Sequence, residues 1–324
     1  MIVKRPEPWG EIQYDTLKHQ FSYLLTKGID IVPYTSEPVL LNVDLTLKCN
    51  MDCPHCVAKD FPVKVDLEVS KKLLDWINRQ NFLVVVITGG EPLLPEYEDK
   101  LKVLLTGIHE KGLIVDTNGT IIPSHSLVET IRNTNTLVRI SWDAVRPRVD
   151  AYFRRFRSDL GQNHALNIEY ASKKFDLIPY LQEAGVNVAA QTVLSSSRRA
   201  RGRVRDEIEI MNMPRALNEY SIRKWYIQKF IPSYKRTESK YVVNRIEYDK
   251  FTAKLITECK KYNIECITKK DLRHNCVVLL VGKGILYTQG QRPREKIIMG
   301  TINDPNIDYS TYMSFADHTE RYYG

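Results

Sequence analysis

"VLLNVDLTLKCNMDCPHC" (39–56) runs an apolar stretch straight into three cysteines within eight positions: Cys49, Cys53 and Cys56. Residues 39–46 read as a strand. A strand that ends in a polar loop carrying reactive groups is how an α/β fold presents chemistry at one face. Outward from it the pattern repeats. "SKKLLDWINRQ" (70–80) is helical, with Leu73, Leu74 and Ile77 on one face, and "FLVVVITGG" (82–90) is a buried strand closed by glycines. Leu101, Leu104, Leu105 and Ile108 keep the i, i+3, i+4, i+7 spacing of a helix, with Gly112 placed to end it. The strands "LIVDTNG" (113–119), "LVRISWDA" (137–144), "VNVAAQTVL" (186–194) and "KWYIQKFIP" (224–232) follow, with helices expected at 126–132, around 165–184 and near 206–219.

Six strand-then-helix units imply a parallel sheet with right-handed crossovers. Six are too few for a closed eight-stranded barrel, so the expected fold is α/β, a partial (β/α)6 TIM-like barrel. "WGEIQYDTLKHQFSYLL" (9–25) reads as an N-terminal β-hairpin turning at Asp15-Thr16. The tail reads as an α+β appendage with a helix over 246–261 and a hairpin, "VVLLVGKGILYT" (277–288), turning at Gly282-Lys283-Gly284. The expected division is 1–37 for the N-terminal extension, 38–235 for the barrel and 236–324 for the C-terminal extension.

The chain has 324 residues, 43% hydrophobic and 27% charged, enough to bury a sizeable core. No apolar run approaches the roughly 20 residues of a membrane span, and "MIVKRPEPWG" lacks the apolar core of an export signal, so a cytoplasmic, non-membrane protein is expected. Without export, six cysteines argue against a disulfide framework. The net charge of +8 is uneven, because "SSSRRARGRVR" (195–205) holds five arginines. Such a run suits a solvated loop, an acidic peptide or nucleic acid; with no aromatics interleaved to stack on bases, nucleic acid is not favoured.

Three thiolates spaced Cys-x3-Cys-x2-Cys can wrap one corner of a cubic iron–sulfur cluster, which normally takes four. Three ligands leave one iron open, the mark of a catalytic metal site. The alternatives are a zinc site, which needs a fourth ligand that His55 is awkwardly placed to supply, and three unconnected thiols.

"CNMDCPHC" (49–56) followed by "TGGEP" (88–92) resembles the radical S-adenosylmethionine (SAM) superfamily over residues 39–235. The resemblance implies that Cys49, Cys53 and Cys56 hold a [4Fe–4S] cluster whose fourth iron is chelated by SAM. It implies further that Gly89, Gly90, Glu91 and Pro92 meet the SAM amino group and that the His55 backbone approaches the adenine. Ser141 and Asp143 of "SWDA" would reach the ribose and carboxylate. Asn118 of "DTNG" would face the cavity, and Ile231 before Pro232 would pack on adenine. Gln191 is either a ligand contact or a core amide. Lys48 and Lys59 flank the cysteine loop and would raise the cluster potential slightly.

The implied activity is reductive cleavage of SAM to a 5′-deoxyadenosyl radical, which takes hydrogen from a substrate. It calls for a flavodoxin- or ferredoxin-like electron donor. The tail resembles the extension of the peptide-modifying (SPASM/twitch-type) branch without its auxiliary-cluster cysteines: Tyr287 and Thr288 stand where one is expected, and Cys276 alone holds a plausible ligand position. Cys259, with Phe251 and Leu255, continues the apolar face of a helix, and Cys266 alternates with Ile264 on a strand, so no second cluster is expected. A peptide, protein or small metabolite is the leading substrate class. A nucleotide or nucleobase is the runner-up, and a zinc-stabilised nucleic-acid-binding protein without catalysis is the alternative of a different class.

Overall fold

The computed structural model describes residues 1–29, 35, 37–53, 55, 56, 66–156, 164–196, 204, 206–230, 242–268, 277–289, 296–304, 307 and 309. Ile231, Lys59, Cys276 and the arginines of the 198–205 run lie outside them.

Three strands, β1 (Ile2–Glu7), β2 (Gly10–Asp15) and β3 (Gln20–Leu25), form an antiparallel sheet. The expected hairpin is β2–β3, and β1 is an addition to it. The rest of the chain builds one larger sheet. β4 (Leu40–Thr46), β5 (Val84–Gly89), β6 (Gly112–Thr117), β7 (Leu137–Ser141), β8 (Val188–Leu194) and β9 (Lys224–Lys229) lie side by side in chain order and parallel, the expected six. β10 (Glu265–Thr268) adds in parallel beyond β9, and β11 (Val277–Val281) in parallel beyond β4. β11 turns at Gly282–Gly284 into β12 (Ile285–Gln289), which pairs with β13 (Lys296–Thr301). The C-terminal hairpin is therefore continuous with the barrel sheet.

Alternation decides which side chains face which way. Leu41, Val43, Leu45, Val85, Ile87, Val115, Ile140 and Trp225 join one apolar cluster with the helices. Those helices are α1 (Lys71–Arg79), α2 (Glu98–Gly107), α3 (His125–Asn133), α4 (Pro147–Phe153), α5 (His164–Ser172), α6 (Lys174–Glu183), α7 (Glu207–Met211), α8 (Met213–Glu219) and α9 (Arg245–Lys260). Each large aliphatic side chain so buried contributes about 1.5–3 kcal/mol. Ser70, Ser124 and Asn244 cap α1, α3 and α9 by accepting backbone N–H bonds.

The stretch expected to be helical around 165–184 divides into α5 and α6, and α4, begun by Pro147, was not expected. The buried face of α1 is Leu73, Trp76 and Ile77. Cys259 is fully buried on α9 beside Phe251 and Leu255, as a small core residue.

The inward residues Val84, Val86, Ile114, Leu137, Ala189 and Tyr226 pack instead against Trp9, Ile12 and Tyr14 of the N-terminal sheet. That sheet plugs the barrel at the N-terminal ends of its strands. Gly112 does not end α2, which closes at Gly107; it opens β6, where a Cβ would lie 2.1 Å from the Tyr14 ring. Above this layer Arg139 binds Asp116 through two hydrogen bonds of 2.6 and 2.8 Å and lies 4.8 Å over the Tyr226 ring, flooring the lumen. Among the described residues no helix is long and apolar enough to cross a membrane.

Candidate active site

β4 and β5 deliver the two motifs to the same end of the sheet. The cysteine loop leaves β4 and docks on the end of β5 through Gly90 N–H to Thr46 O (2.6 Å) and Glu91 N–H to Lys48 O (2.9 Å). Both glycines are required by space. A Cβ on Gly89, whose φ is +117°, would lie 2.2 Å from Thr46 O, and one on Gly90 would lie 1.9 Å from Lys48 O.

Glu91 points inward. Its carboxylate accepts from Leu93 N (3.0 Å), Thr117 Oγ1 (2.8 Å) and Asn118 N (2.7 Å), which pins the loop after β6. Asn118 in turn donates to Asn50 Oδ1 (2.8 Å) and to Cys49 Sγ (3.7 Å). The Met51 N–H also donates to Cys49 Sγ (3.3 Å), and Asn50 reaches Thr120 (2.8 Å). Glu91 and Asn118 thus brace the cysteine loop from beneath, and Pro92 is buried behind them.

The other side of the loop rests on the segment after α4. Asp52 N–H donates to Arg155 O (2.6 Å), and Met51 forms an isolated β-bridge with Phe156. Asp143, at the end of β7, accepts from Val193 N (2.9 Å) and lies 2.9 Å from Arg154 Nε and 3.8 Å from His55 Nε2. Sequence reading put Ser141 and Asp143 at this face but gave no sign of Arg154, Asp150 or Lys174. Lys174 is buried on Asp150 (2.5 Å) and on the Ser141 carbonyl (2.9 Å), Asp150 accepts from the Asp143 N–H (2.7 Å), and Arg154 joins them through its ion pair with Asp143.

Burial is the main cause that pushes the Cys49 and Cys53 thiols up to about 12. The Arg154 cation pulls Cys53 back down. Such thiols ligate only when a metal displaces their protons. Among the described residues no three His, Cys, Asp or Glu side chains converge as one metal ion requires; on a single zinc, thiolates lie about 4 Å from one another. A cubic cluster instead takes each cysteine on a different iron.

On the barrel wall beside the loop, Ser141 of β7 stands in register with Gln191 of β8. Gln191 Oε1 and Ser195 Oγ are buried and lack a hydrogen-bond partner in the described structure. That wall fits a polar ligand bearing donors, and three thiols on one loop are the donor type that an iron–sulfur cluster takes.

The family model for the radical SAM superfamily matches residues 43–195, the span from β4 to the end of β8. Residues 43–195 match the radical SAM superfamily. Among curated proteins, this chain is 28% identical over 115 residues to the Fe-coproporphyrin III synthase of Methanosarcina barkeri, an alignment covering 34% of this chain and 28% of that one. It is 30% identical over 131 residues to the antilisterial bacteriocin subtilosin biosynthesis protein AlbA of Bacillus subtilis, covering 39% and 29%. The chain therefore spans less than a third of the curated relatives it matches. Among solved structures, SuiB of Streptococcus suis bound to S-adenosylmethionine has the same fold, with a TM-score of 0.64 and 13% identity over 94% of this chain and 85% of that one. The radical SAM family works with a [4Fe–4S] cluster and SAM, the cofactor pair that the sequence implied.

The Glu91 environment has a pH consequence. Burial raises its carboxyl from 4.5 to about 7 against the pull of its three donors. Between those values the folded protein holds a proton that the unfolded chain releases, so this contribution to stability is complete below pH 4.5 and lost as pH rises through 7. Urea midpoints measured at pH 5 and pH 8 will therefore fall more in wild type than in Glu91→Gln, which has no proton to lose.

Proposed function

We propose that this chain cleaves SAM reductively at a [4Fe–4S] cluster held by Cys49, Cys53 and Cys56, and directs the resulting chemistry at a peptide. The observation that carries the reading is the docking of the three-cysteine loop on Gly89–Glu91 at the open end of a barrel whose other end is plugged. When bound, the cluster and SAM supply hydrogen abstraction strong enough for an unactivated C–H bond. Gly89 and Gly90 hold the loop, and Glu91 and Asn118 brace it. His55, Pro92, Ser141, Asp143 and Ile231 are the further SAM contacts in this reading. The Arg139–Asp116 pair closes the floor, so substrate enters from the cysteine face.

The peptide assignment draws on AlbA, named for bacteriocin biosynthesis, and on the mycofactocin maturase MftC of Mycolicibacterium smegmatis, 28% identical over 116 residues. The net charge of +8 suits an acidic flavodoxin- or ferredoxin-like electron donor.

The test is anaerobic purification followed by addition of dithionite and SAM. A brown protein that releases 5′-deoxyadenosine is expected, with release increased by a peptide encoded in a neighbouring reading frame and deuterium carried from that peptide into 5′-deoxyadenosine. A colourless zinc protein that leaves SAM intact would overturn the activity. Deuterium arriving from a nucleotide or a tetrapyrrole instead would overturn the peptide assignment.

A further inference from the structure

The barrel lumen is built in layers from the plug upward. Inward residues of the central strands, from Leu40 of β4 to Tyr226 of β9, pack on the N-terminal sheet. Two residues further along each strand the side chain returns to the same face. There stand Asn42, Thr88, Asp116, Arg139, Gln191 and Gln228, beyond Leu40, Val86, Ile114, Leu137, Ala189 and Tyr226 in turn. All six are polar, and each is half-buried or exposed, so the lumen opens at this second layer. Its two charged members, Arg139 and Asp116, satisfy each other. The others are three carboxamides and a hydroxyl. Gln191 Oε1 is buried and has no hydrogen-bond partner in the described structure, and a buried acceptor left unpaired is costly. Because barrel strands are staggered, Gln191 shares its layer with Arg139 although Ser141 is its neighbour in register. Ser141, two residues beyond Arg139, stands one layer nearer the cysteine loop.

We propose that Gln191 is a substrate-binding residue that seats an uncharged amide of the peptide in this polar ring above the plug. The inference rests on the peptide reading above and deepens it. A peptide group carries one donor and one acceptor, and a carboxamide offers both in return. Rotation about the last side-chain torsion, which is broad for a carboxamide, turns either atom of Gln191 to the lumen. A phosphate or carboxylate finds no unpaired cation in the ring, because Asp116 occupies the Arg139 fork through both its oxygens. Ser141 and Asp143, the SAM contacts of that reading, stand above the ring on β7 and leave it to the second molecule.

The experiment is isothermal titration of anaerobically reconstituted protein without reductant, so that no turnover occurs. SAM is titrated first, and then, with SAM present, the peptide that gives up its deuterium in the test above. Gln191→Leu is expected to weaken peptide binding about tenfold, the effect of losing one hydrogen bond, and to leave the dissociation constant for SAM unchanged. Methylating the backbone nitrogens of the peptide one at a time locates the N–H concerned. One such methylation should weaken binding to wild type about tenfold and cause no further loss in Gln191→Leu, because both changes remove the same contact. Should Gln191→Leu fail to fold, Gln191→Met, which keeps the length of the side chain, decides in its place. Peptide binding at wild-type strength in the variant, or a loss that falls on SAM instead, overturns this inference and leaves the peptide reading standing. If no peptide gives up deuterium, the peptide reading fails and takes this inference with it.

Discussion

Cys53→Ala will leave anaerobically reconstituted protein with less than about one iron per chain, where wild type carries about four, and 5′-deoxyadenosine formation will fall to background. The reason is specific to this loop. Cys53 is the most buried of the three sulfurs, burial pushes its thiol up to about 12, and in the proposed reading it becomes a ligand when metal displaces its proton. Without it two anchors remain, Cys49 and Cys56, too few to keep a cube of iron and sulfide from being extracted. Cys259→Ala is the matching control. That cysteine is fully buried on α9 among core residues, so its loss should lower stability by about 1 kcal/mol and leave iron untouched. Iron retained in Cys53→Ala, or lost in Cys259→Ala, would mean that the metal is held elsewhere.

What was legible in the chain was local. The cysteine spacing, the Gly-Gly after β5 and the period of α2 each lie within a few residues, where sequence distance and spatial distance agree. The six-strand order was also readable, because parallel strands with helical crossovers leave few topologies. Three things were not. Arg154 lies far along the chain from Cys53, and nothing in "FRRFR" separates the arginine that turns inward from its neighbours. The flanking places of β10 and β11 depend on which open sheet edge each strand meets. β1 was obscured because Arg5, a charged residue in a strand, is 6% exposed and held by Glu7 and by the Pro38 and Glu37 carbonyls. The same limit touches Asp143: its position at the end of β7 was read correctly, but its partner, Arg154, was not.

Gly90→Ala is expected to abolish catalysis while leaving the barrel folded. The backbone of Gly90 is not in the left-handed region, so alanine meets no conformational penalty there; the obstacle is entirely one of space. Its Cβ would lie 1.9 Å from Lys48 O and 2.5 Å from Lys48 C, both main-chain atoms that cannot rotate aside. Relief requires the cysteine loop to lift from β5, breaking the hydrogen bonds to Thr46 O and Lys48 O that set its height. The β4–β5 ladder lies below this contact and is kept, so far-UV circular dichroism should match wild type. A displacement of about 1 Å between reacting groups is worth about a hundredfold in rate, and 5′-deoxyadenosine formation should fall at least that far. Gly107→Ala supplies the contrast, since its Cβ would meet Leu74 Cδ1 at 2.6 Å, the end of a flexible side chain that can move away. That variant should keep full activity. If Gly90→Ala turned over at the wild-type rate, the cysteine loop would be positioned by something other than its seat on β5, and the Gly-Gly would be no more than a strand-ending turn.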